Sequence, residues 1–304
     1  RITRYLTGFM RCFNTKRKIL ITVSAILAFI MLVLICSAVV CRYYISMADY
    51  NIQLEDVVSP VRVVALSDLH CREFGKGNSR LLDKIKAQSP DAIFAVGDMI
   101  SNNSDISDAD EMVALLCRLN EIAPTFFVPG NHELEYISRT GDDLLTKVSN
   151  AGITIVNDSY VDCNFGGQTI RIGGTMGHAF PFGRTPDEFR SSDIYRFLIE
   201  FEDTDLPTVC LAHMPDTFIF NNAASYWPGV DLVISGHTHG GMIRLPFVGG
   251  LIAPMQGFFP DYDRGYFKLS SNMQMIIGSG LAGYGIVPRI FNLPEICVID
   301  IVPK

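Results

Sequence analysis

Five of the six histidines in the chain lie at the ends of short apolar segments, together with aspartate and asparagine side chains. The candidate metal-binding and catalytic residues are Asp68, His70, Asp98, Asn131, His132, His213, His237 and His239. Imidazole nitrogens with carboxylate or amide oxygens suit Mn, Fe, Zn or Co better than a structural zinc site built on cysteine. Because ligands bind beyond the carboxyl ends of strands in open α/β sheets, these residues are expected to meet in one crevice.

The spacing within two of the clusters predicts how their side chains point. In extended backbone, residues i and i+2 face the same side, so Asp68 and His70 are expected to aim at one point. The same argument applies to His237 and His239. Each pair therefore predicts two ligands on one side of the chain.

The cluster at 130–133 predicts two different roles for adjacent residues. Asn131 and His132 point in different directions, so one can hold a metal while the other faces the substrate. Glu133 either orients that site or is simply an acid at the start of a helix. A glycine precedes Asp98, Asn131 and His237, and we expect each to let the backbone turn sharply after its strand.

The elements that must position these clusters are short strands alternating with helices. Apolar segments rich in β-branched and aromatic residues predict strands at 61–67, 92–97, 125–130, 208–212 and 231–236. Helical spacing is present at about 79–88, 107–120 and 141–150, which favours a largely parallel sheet covered by helices. Further strands are expected near 153–157, 168–173, 265–270, 273–278 and 295–301. The whole pattern predicts one domain with two stacked sheets and helices outside.

Residues 19–41 predict a membrane anchor, because they contain no charge and are long enough to cross a hydrocarbon core of about 30 Å as a helix. The run is too long and uniform for a buried core helix, and too long for the apolar part of a cleaved signal peptide. Cations precede it and acids follow it, so we expect residues 1–18 to be a basic cytoplasmic segment and the body to be extracytoplasmic. The chain would then be a single-pass protein of the cell membrane. Residues 42–60 are interpreted as a stalk and residues 61–304 as the catalytic domain.

Charge excludes general nucleic-acid binding by the body. The net charge is −7, but residues 1–41 carry six cations and no acid, which leaves 19 cations against 32 acids in the rest. Nucleic-acid binding needs clustered Lys and Arg to contact phosphates, so no nucleic-acid partner is expected. The eight cysteines are scattered and form no C-x-x-C pair, which argues against a disulfide scaffold.

Taken in order, the clusters D-x-H, G-D, G-N-H-E, H and G-H-x-H resemble the calcineurin-like metallophosphoesterase superfamily, over residues from about 61 to 301. The sequences of residues 236–250 and 279–299 resemble the bacterial, membrane-associated YkuE/YaeI-like branch. The resemblance implies a four-layer α/β/β/α sandwich of two mixed sheets, which agrees with the pattern of strands and helices.

The resemblance also implies a role for each candidate residue. Its first metal ion would be held by Asp68, His70, Asp98 and His239. Its second would be held by Asp98, Asn131, His213 and His237, so that Asp98 bridges two divalent ions, of which Mn is favoured. A hydroxide between the ions would attack the phosphate, and His132 would assist the leaving group.

The expected function is hydrolysis of a phosphate ester, most simply a phosphodiester, with a substrate that is lipid-linked or part of the cell envelope. One alternative is a lipid-nucleotide hydrolase of the UDP-2,3-diacylglucosamine pyrophosphatase type. Another is a non-catalytic binding module on the same fold.

Several further residues leave alternatives open. The aromatic residues of 242–267 either pack onto the body or form an apolar rim for a lipid-linked substrate. Arg244 and Arg289 could clamp a phosphate, and His178 is more simply a loop histidine than a ligand. The G-x-G-x-x-G match at 278–283 is expected to be a tight turn rather than a dinucleotide site, since no βαβ unit can follow it.

Overall fold

The computed structural model describes residues 2–177, 192–283 and 287–304, with side chains from residue 16 onward, so His178 lies outside the described residues. The α-helices are α1 (Ile2–Tyr43), α2 (Ser79–Lys86), α3 (Ile106–Asn120), α4 (Asn131–Thr140), α5 (Leu144–Asn150), α6 (Asp193–Glu202) and α7 (Asp216–Ile219). Short 3-10 helices occupy Lys76–Asn78, Ala223–Tyr226 and His239–Gly241.

The first sheet has six strands in the order β1-β16-β2-β3-β4-β5. Its strands are β1 (Ser46–Leu54), β2 (Val61–Leu66), β3 (Ala92–Val96), β4 (Thr125–Val128), β5 (Thr154–Ile155) and β16 (Glu295–Pro303). Strands β2 to β5 are parallel to one another, whereas β16 runs antiparallel to β2. The carboxyl ends of β2, β3 and β4 therefore share one edge of the molecule.

The second sheet also has six strands, in the order β14-β15-β9-β8-β7-β6. Its strands are β6 (Ser159–Phe165), β7 (Gln168–Thr175), β8 (Thr208–Ala212), β9 (Leu232–Ser235), β14 (Gly265–Lys268) and β15 (Gln274–Ile277). The strands β7, β8, β9 and β15 are parallel, and the two edge strands are antiparallel to their neighbours. Two small hairpins, β10 (Arg244–Leu245) with β11 (Gly249–Gly250) and β12 (Ile252–Ala253) with β13 (Gly257–Phe258), precede β14.

Three apolar clusters make these elements into four layers. One cluster fills the space between the sheets, with Phe94 of the first sheet and Leu211 and Ile234 of the second. Another packs α2, α3 and α5 on the outer face of the first sheet, and a third packs α6 on the outer face of the second. The predicted α/β/β/α sandwich of two mixed sheets is confirmed.

Helix α3 shows how local sequence sets these layers. The Asp105 side chain accepts a hydrogen bond from the Asp108 backbone N–H at 3.0 Å, and the Asp108 side chain accepts one from the Asp105 backbone N–H at 3.0 Å. This reciprocal pair fixes the start of the helix. Leu115, Leu116 and Leu119 then lie on one face and are buried against the first sheet.

The segment 42–60, which we interpreted as a stalk, contains a strand of the first sheet. β1 pairs in parallel with β16 along its full length, and Ile52 and Leu54 are buried in the core between the sheets. The physical reason is the alternation of Tyr50, Ile52 and Leu54, which places apolar side chains on one face of an edge strand. The other domain limits stay a prediction.

Helix α1 is long, and its part from Lys16 to Tyr43 is apolar enough to cross a membrane. The apolar side chains of its middle, such as Leu27 and Phe29, are more than half exposed. Its last turns contact the body: the Phe291 backbone N–H donates to Ser37 Oγ at 2.7 Å, and Cys41 is buried.

Candidate metal centre

The candidate residues lie at the carboxyl ends of the central strands of both sheets. Asp68 and His70 follow β2, Asp98 follows β3, and Asn131 and His132 begin α4 after β4. From the second sheet come His213 after β8 and the pair His237 and His239 after β9.

Three groups of these side chains could each hold a metal ion, because their ligand atoms lie within 4.8 Å of one another. The groups are Asp68 with His70 and His239, His70 with Asp98 and His132, and Asp98 with His213 and His237. Since the groups share His70 and Asp98, they form one continuous centre between the sheets.

The backbone of this centre differs from the extended chain that we expected. Asp68, His70 and Asp98 have positive φ angles of 52°, 47° and 53°, and His237 and His239 have 66° and 50°. Residues with a Cβ seldom adopt this left-handed conformation, and such residues cluster at functional sites. The paired side chains therefore converge through left-handed turns, and the argument from strand alternation is wrong.

Glycines are required here by close packing more than by turning. A Cβ on Gly130 would lie 2.2 Å from Asp98 Oδ1, and one on Gly236 would lie 2.7 Å from Asp68 Oδ2. Only Gly97, among the three glycines that we singled out, has a positive φ, of 73°. The expectation of a sharp turn holds for Gly97, whereas the other two let backbone approach a carboxylate.

Asp98 is the central acid, because three imidazoles surround one of its oxygens. Its Oδ2 atom lies 3.2 Å from His213 Nε2, 3.7 Å from His132 Nε2 and 3.9 Å from His70 Nε2. Its other oxygen, Oδ1, accepts a hydrogen bond from the His132 backbone N–H at 2.9 Å. Burial is the largest single influence and would raise the pKa of Asp98. The charge and hydrogen bond of His213, with the charges of His70 and His132, together outweigh burial, so the pKa lies well below its ordinary value.

Asp68 has a matching position on the other side of the centre. Its carboxylate accepts hydrogen bonds from Ser67 Oγ at 2.5 Å and from the His237 backbone N–H at 3.0 Å. Its Oδ1 atom lies 3.8 Å from His239 Nε2. The bond from His237 links the loop after β9 to the loop after β2, so it ties the two sheets together.

The hydrogen bonds at Nδ1 assign the imidazole nitrogens to two kinds of role. The Nδ1–H groups of His213 and His239 donate to the carbonyls of Val96 and Ala282, at 2.8 and 3.2 Å. The neutral ring then presents a bare Nε2 lone pair, as a metal ligand must. His132 is the reverse: its Nδ1 accepts from the Asn102 backbone N–H at 2.8 Å, so the proton of its neutral ring is on Nε2.

Most of the histidines are held neutral, which suits metal binding. Burial, with a smaller effect from the charge of His239, lowers the pKa of His70 to about 4. Burial, with a smaller effect from the charge of Arg289, lowers the pKa of His239 to about 3. Burial also lowers the pKa of His237 well below its ordinary value. His213 differs: burial acts to lower its pKa, but the Asp98 carboxylate outweighs burial and raises the pKa to about 10.

Glu133 positions the loop that carries Asp98. Its buried carboxylate accepts hydrogen bonds from the backbone N–H groups of Asp98, Met99, Ile100 and Gly130, at 2.7 to 3.0 Å. These groups belong to the turns after β3 and β4, so one side chain fixes both. The contacts support both roles that we left open for Glu133: the bond from the Gly130 N–H caps the start of α4, and the bonds from Asp98, Met99 and Ile100 orient the site.

Four buried polar atoms of the centre have no hydrogen-bond partner within the described part of the chain. They are His70 Nε2, Asn131 Oδ1, His213 Nε2 and His237 Nε2. Buried polar atoms are normally satisfied, and each orphan costs about 1–3 kcal/mol, so a cluster of them calls for a ligand. All four are lone-pair donors when the histidines are neutral, and they therefore fit divalent cations.

Comparison with known proteins agrees with this geometry. Residues 61–241 match the profile of the family described as calcineurin-like phosphoesterase. The chain belongs to this calcineurin-like phosphoesterase family. As the resemblance predicted, proteins named YkuE and YaeI are among its relatives: phosphodiesterase YaeI of Escherichia coli is 29% identical over 210 residues, which are 66% of this chain and 69% of that protein.

Two other family relatives are informative. Metallophosphoesterase Cj0846 of Campylobacter jejuni is 29% identical over 256 residues, which cover 84% of this chain but only 62% of that protein. The UDP-2,3-diacylglucosamine pyrophosphatase LpxG of Chlamydia muridarum is 26% identical over 280 residues, with 78% of this chain and 82% of that protein covered.

The two arginines that we considered as phosphate clamps are both occupied by internal contacts in this family member. Arg289 is buried and donates to the carbonyls of Ala282 and Asn292 at 2.7 and 2.8 Å, so it supports the turn around the centre. Arg244 pairs with Asp263 at 2.6 Å. Neither expectation of a free phosphate clamp is met.

The segment 278–283 forms the expected turn beside the centre. The Leu281 and Ala282 N–H groups donate to the carbonyls of Ser67 and Asp68, at 3.1 and 2.7 Å. A Cβ on Gly280 would lie 2.7 Å from the Asp68 Cβ. The glycines thus let the last loop close against the Asp68 turn.

Proposed function

We propose that the protein is a membrane-anchored phosphodiesterase that uses two divalent metal ions. The observation that carries the proposal is the set of unpartnered nitrogen and oxygen atoms that point into one centre built from both sheets. Structural histidines and asparagines would satisfy these atoms with protein partners. Family membership supports the reaction class, phosphoester hydrolysis.

The residues proposed to hold the metals fall into two sets. The first is Asp68, His70, Asp98 and His239, and the second is Asp98, Asn131, His213 and His237. When bound, the ions would supply Lewis-acid polarisation of the phosphate and a nucleophilic water with a pKa near about 7. Asp98 is the shared member, in agreement with its place among three imidazoles. Mn is the favoured metal, with Fe, Zn and Co as alternatives.

His132 is proposed to give a proton to the leaving oxygen. Its Nδ1 accepts from the Asn102 N–H, so its Nε2 carries the proton that a leaving group needs. Its ring lies edge-on to His70, with ring centres 4.7 Å apart, which places it beside the first metal set. The hydrogen bond from the backbone N–H to Nδ1 fixes both the orientation and the tautomer of the ring. General-acid catalysis by such a group raises the reaction rate by about 10²–10⁴-fold.

We further propose that residues 19–41 anchor the protein in the cell membrane, with residues 1–18 in the cytoplasm and the catalytic domain outside. The helix from Lys16 to Tyr43 has the length and apolar composition that a span requires. The cations that precede it and the acids that follow it support this orientation.

A second candidate is a pyrophosphatase that acts on a lipid-linked nucleotide. It is favoured by the similarity to LpxG, whose name states that it is a UDP-2,3-diacylglucosamine pyrophosphatase. Both candidates use the same metal centre and differ in what lies on either side of the phosphate. Faster cleavage of UDP-2,3-diacylglucosamine than of a simple diester would favour the second candidate.

The full chain, purified in detergent and loaded with Mn²⁺, tests the proposal with bis-p-nitrophenyl phosphate. We expect Asp98→Asn to reduce hydrolysis by at least about 10³-fold, because it removes a charge at the reacting centre. The matched control is Asp231→Asn, which changes a carboxylate that accepts from the Thr208 N–H at the opposite end of the strands. Equal rates for the wild type and Asp98→Asn would overturn the proposal, and absence of bound metal would favour the non-catalytic binding module.

A further inference from the structure

A cavity of about 560 Å³ lies between the last turns of α1 and the segment near the end of the chain. Its walls include Ile35 and Val39 of α1 on one side and Val287 and Pro288 on the other. His70 also lines it, so the cavity opens onto the first metal set. The cavity is therefore shared between the candidate membrane helix and the candidate catalytic centre.

The lining combines apolar surface with positive charge. Ile35, Ala38 and Val39 present aliphatic side chains, whereas Arg42 and Arg72 bring guanidinium groups to the end nearest the body. A ligand with an apolar chain and an anionic phosphate would match both parts.

Several contacts fix the end of α1 against the body, so the cavity has a defined shape. Arg72 donates to the Cys41 carbonyl at 3.3 Å and to the Leu281 carbonyl at 3.0 Å. Arg80 donates to the Tyr43 carbonyl at 2.6 Å. These bonds satisfy carbonyls at the carboxyl end of the helix that have no partner within it, and they place positive charge where the helix dipole is negative.

A second opening, of about 530 Å³, lies on the side of Asn131. Its wall combines Glu135, Ser138 and Arg139 with the apolar side chains of Leu134, Met176 and Met214. The region of the metal centre is thus bordered by one cavity at His70 and by another at Asn131. This arrangement leaves room for a group on either side of a phosphate.

Exposed aromatic side chains lie in and beside the two small hairpins that precede β14. Phe247 is fully exposed, and Phe258 and Phe259 are 70% and 57% exposed, so they are not packed onto the body. A bridge between Ile243 and Ile290 joins the hairpins that carry them to the segment that contacts Ser37 of α1. Exposed large apolar side chains are typical of interaction surfaces, and these are carried by hairpins that the Ile243–Ile290 bridge links to the segment beside α1.

We propose that the cavity between α1 and Pro288 binds the acyl chain of a membrane lipid phosphate ester and delivers its phosphate to His70 and the metal centre. The inference rests on the proposed function and names the substrate class of that same site. The lipid chain would lie along Ile35 and Val39, and Arg42 would face the headgroup phosphate. The enzyme would thereby act on a lipid at the membrane surface without extracting it fully into water.

Photo-crosslinking of the full chain in detergent, without metal, tests binding separately from turnover. The probe is phosphatidic acid with a diazirine in its acyl chain, and labelled peptides are located by mass spectrometry. Val39→Trp should fill the cavity and lower labelling about tenfold, equivalent to a loss of about 1.4 kcal/mol of binding. Val40→Trp is the matched control, since Val39 and Val40 are both 51% exposed but Val40 does not line the cavity.

We expect the label on residues 35–42 and 287–291 of the wild type, and we expect unlabelled phosphatidic acid, but not glycerol phosphate, to compete with it. Ile35→Trp, one turn earlier on the same wall, should repeat the effect of Val39→Trp. Equal labelling of the wild type, Val39→Trp and Ile35→Trp would overturn the proposal. Competition by glycerol phosphate as effective as that by the lipid would also overturn it, since only the phosphate would then be bound.

Hydrolysis assays on the same metal-loaded variants separate this inference from the proposed function. Val40→Trp should cleave bis-p-nitrophenyl phosphate at the wild-type rate, and Val39→Trp should bind as much Mn²⁺ as the wild type, which shows that it folds. Intact hydrolysis with unspecific lipid labelling would overturn the cavity assignment alone. Specific lipid labelling without any hydrolysis would overturn the proposed function and support the lipid site.

Discussion

The two ends of the central strands differ in how their polar groups are satisfied. At the carboxyl ends, Asp68, Asp98 and His237 adopt left-handed conformations, and several buried polar atoms have no hydrogen-bond partner among the described residues. At the amino ends, Asp91 accepts from the Arg62 N–H at 2.8 Å, and Asp231 accepts from the Thr208 N–H at 2.8 Å. The same sheets thus end on one side in turns with unsatisfied buried polar groups, and on the other in turns whose carboxylates are hydrogen-bonded.

This difference separates residues that stabilise the fold from residues that wait for a ligand. Buried polar groups without partners and left-handed backbone both cost stability, and they persist where a function needs them. Asp231 and Asp98 illustrate the point, because both are aspartates beside a central strand, yet only Asp98 lies among three imidazoles.

Among substitutions that test this difference between the two ends, the largest expected effect is the loss of hydrolysis rate on replacing His132, which lies at the carboxyl ends. His132→Ala should slow an alkyl phosphodiester by about 10²–10⁴-fold, because the leaving alkoxide needs the proton on Nε2. Bis-p-nitrophenyl phosphate should be affected far less, since its leaving group departs without a proton. Steady-state rates on the two substrates make this check, and equal losses on both would contradict the acid role.

A smaller effect is expected at Glu133, which acts one step from the metals. Glu133→Gln replaces an acceptor of four N–H groups with an amide, so the Asp98 turn should loosen and metal affinity should fall about 10–100-fold. Calorimetric titration with Mn²⁺ measures this change. Glu135→Gln, at an exposed position of the same helix, should bind Mn²⁺ as the wild type does. An unchanged affinity in Glu133→Gln would show that the carboxylate is dispensable.

The smallest effect is expected at the amino ends, where Asp300 accepts two hydrogen bonds from Arg62, at 2.7 and 2.9 Å. Asp300→Asn should lower the free energy of unfolding by only about 0.2–1 kcal/mol, because the pair is exposed to solvent, and metal binding should not change. The Arg62 hydrogen bond lowers the pKa of Asp300 below 3.8. The stabilisation of the folded protein by this pair is therefore present above pH 3.8 and is lost as the pH falls through the lowered pKa. Urea unfolding of both proteins at neutral and acidic pH tests this, and a difference that persists at the lowest pH would contradict it.

The sequence alone was sufficient to predict which residues lie together in the centre, because histidines at the ends of neighbouring parallel strands meet at one edge of the sheet. The path of the chain was not predictable in the same way. Asp68 and His70 do not follow the alternation of a strand, since the chain has already left β2 in a left-handed turn. Local spacing carries no information on which side of the strand end such a turn goes.

The role of Glu133 and the strand β1 show two other limits. The Glu133 carboxylate contacts N–H groups about 33 to 35 residues away, and such long-range contacts leave no local pattern. β1 does have a local pattern, the alternation of Tyr50, Ile52 and Leu54. We interpreted the segment as a stalk because it directly follows the apolar helix. Arg289 gave no sign of its burial, because it is enclosed by carbonyls of the final loop.

The number of metal ions bound per chain tests the central claim most directly, because both ends of the sheets contain aspartate but only one should bind metal. Elemental analysis after Mn²⁺ loading and removal of free metal should give two ions for the wild type and for Asp231→Asn. Asp98→Asn, which lacks the shared carboxylate, should retain at most one. Two ions in Asp98→Asn, or none in the wild type, would contradict the dinuclear centre.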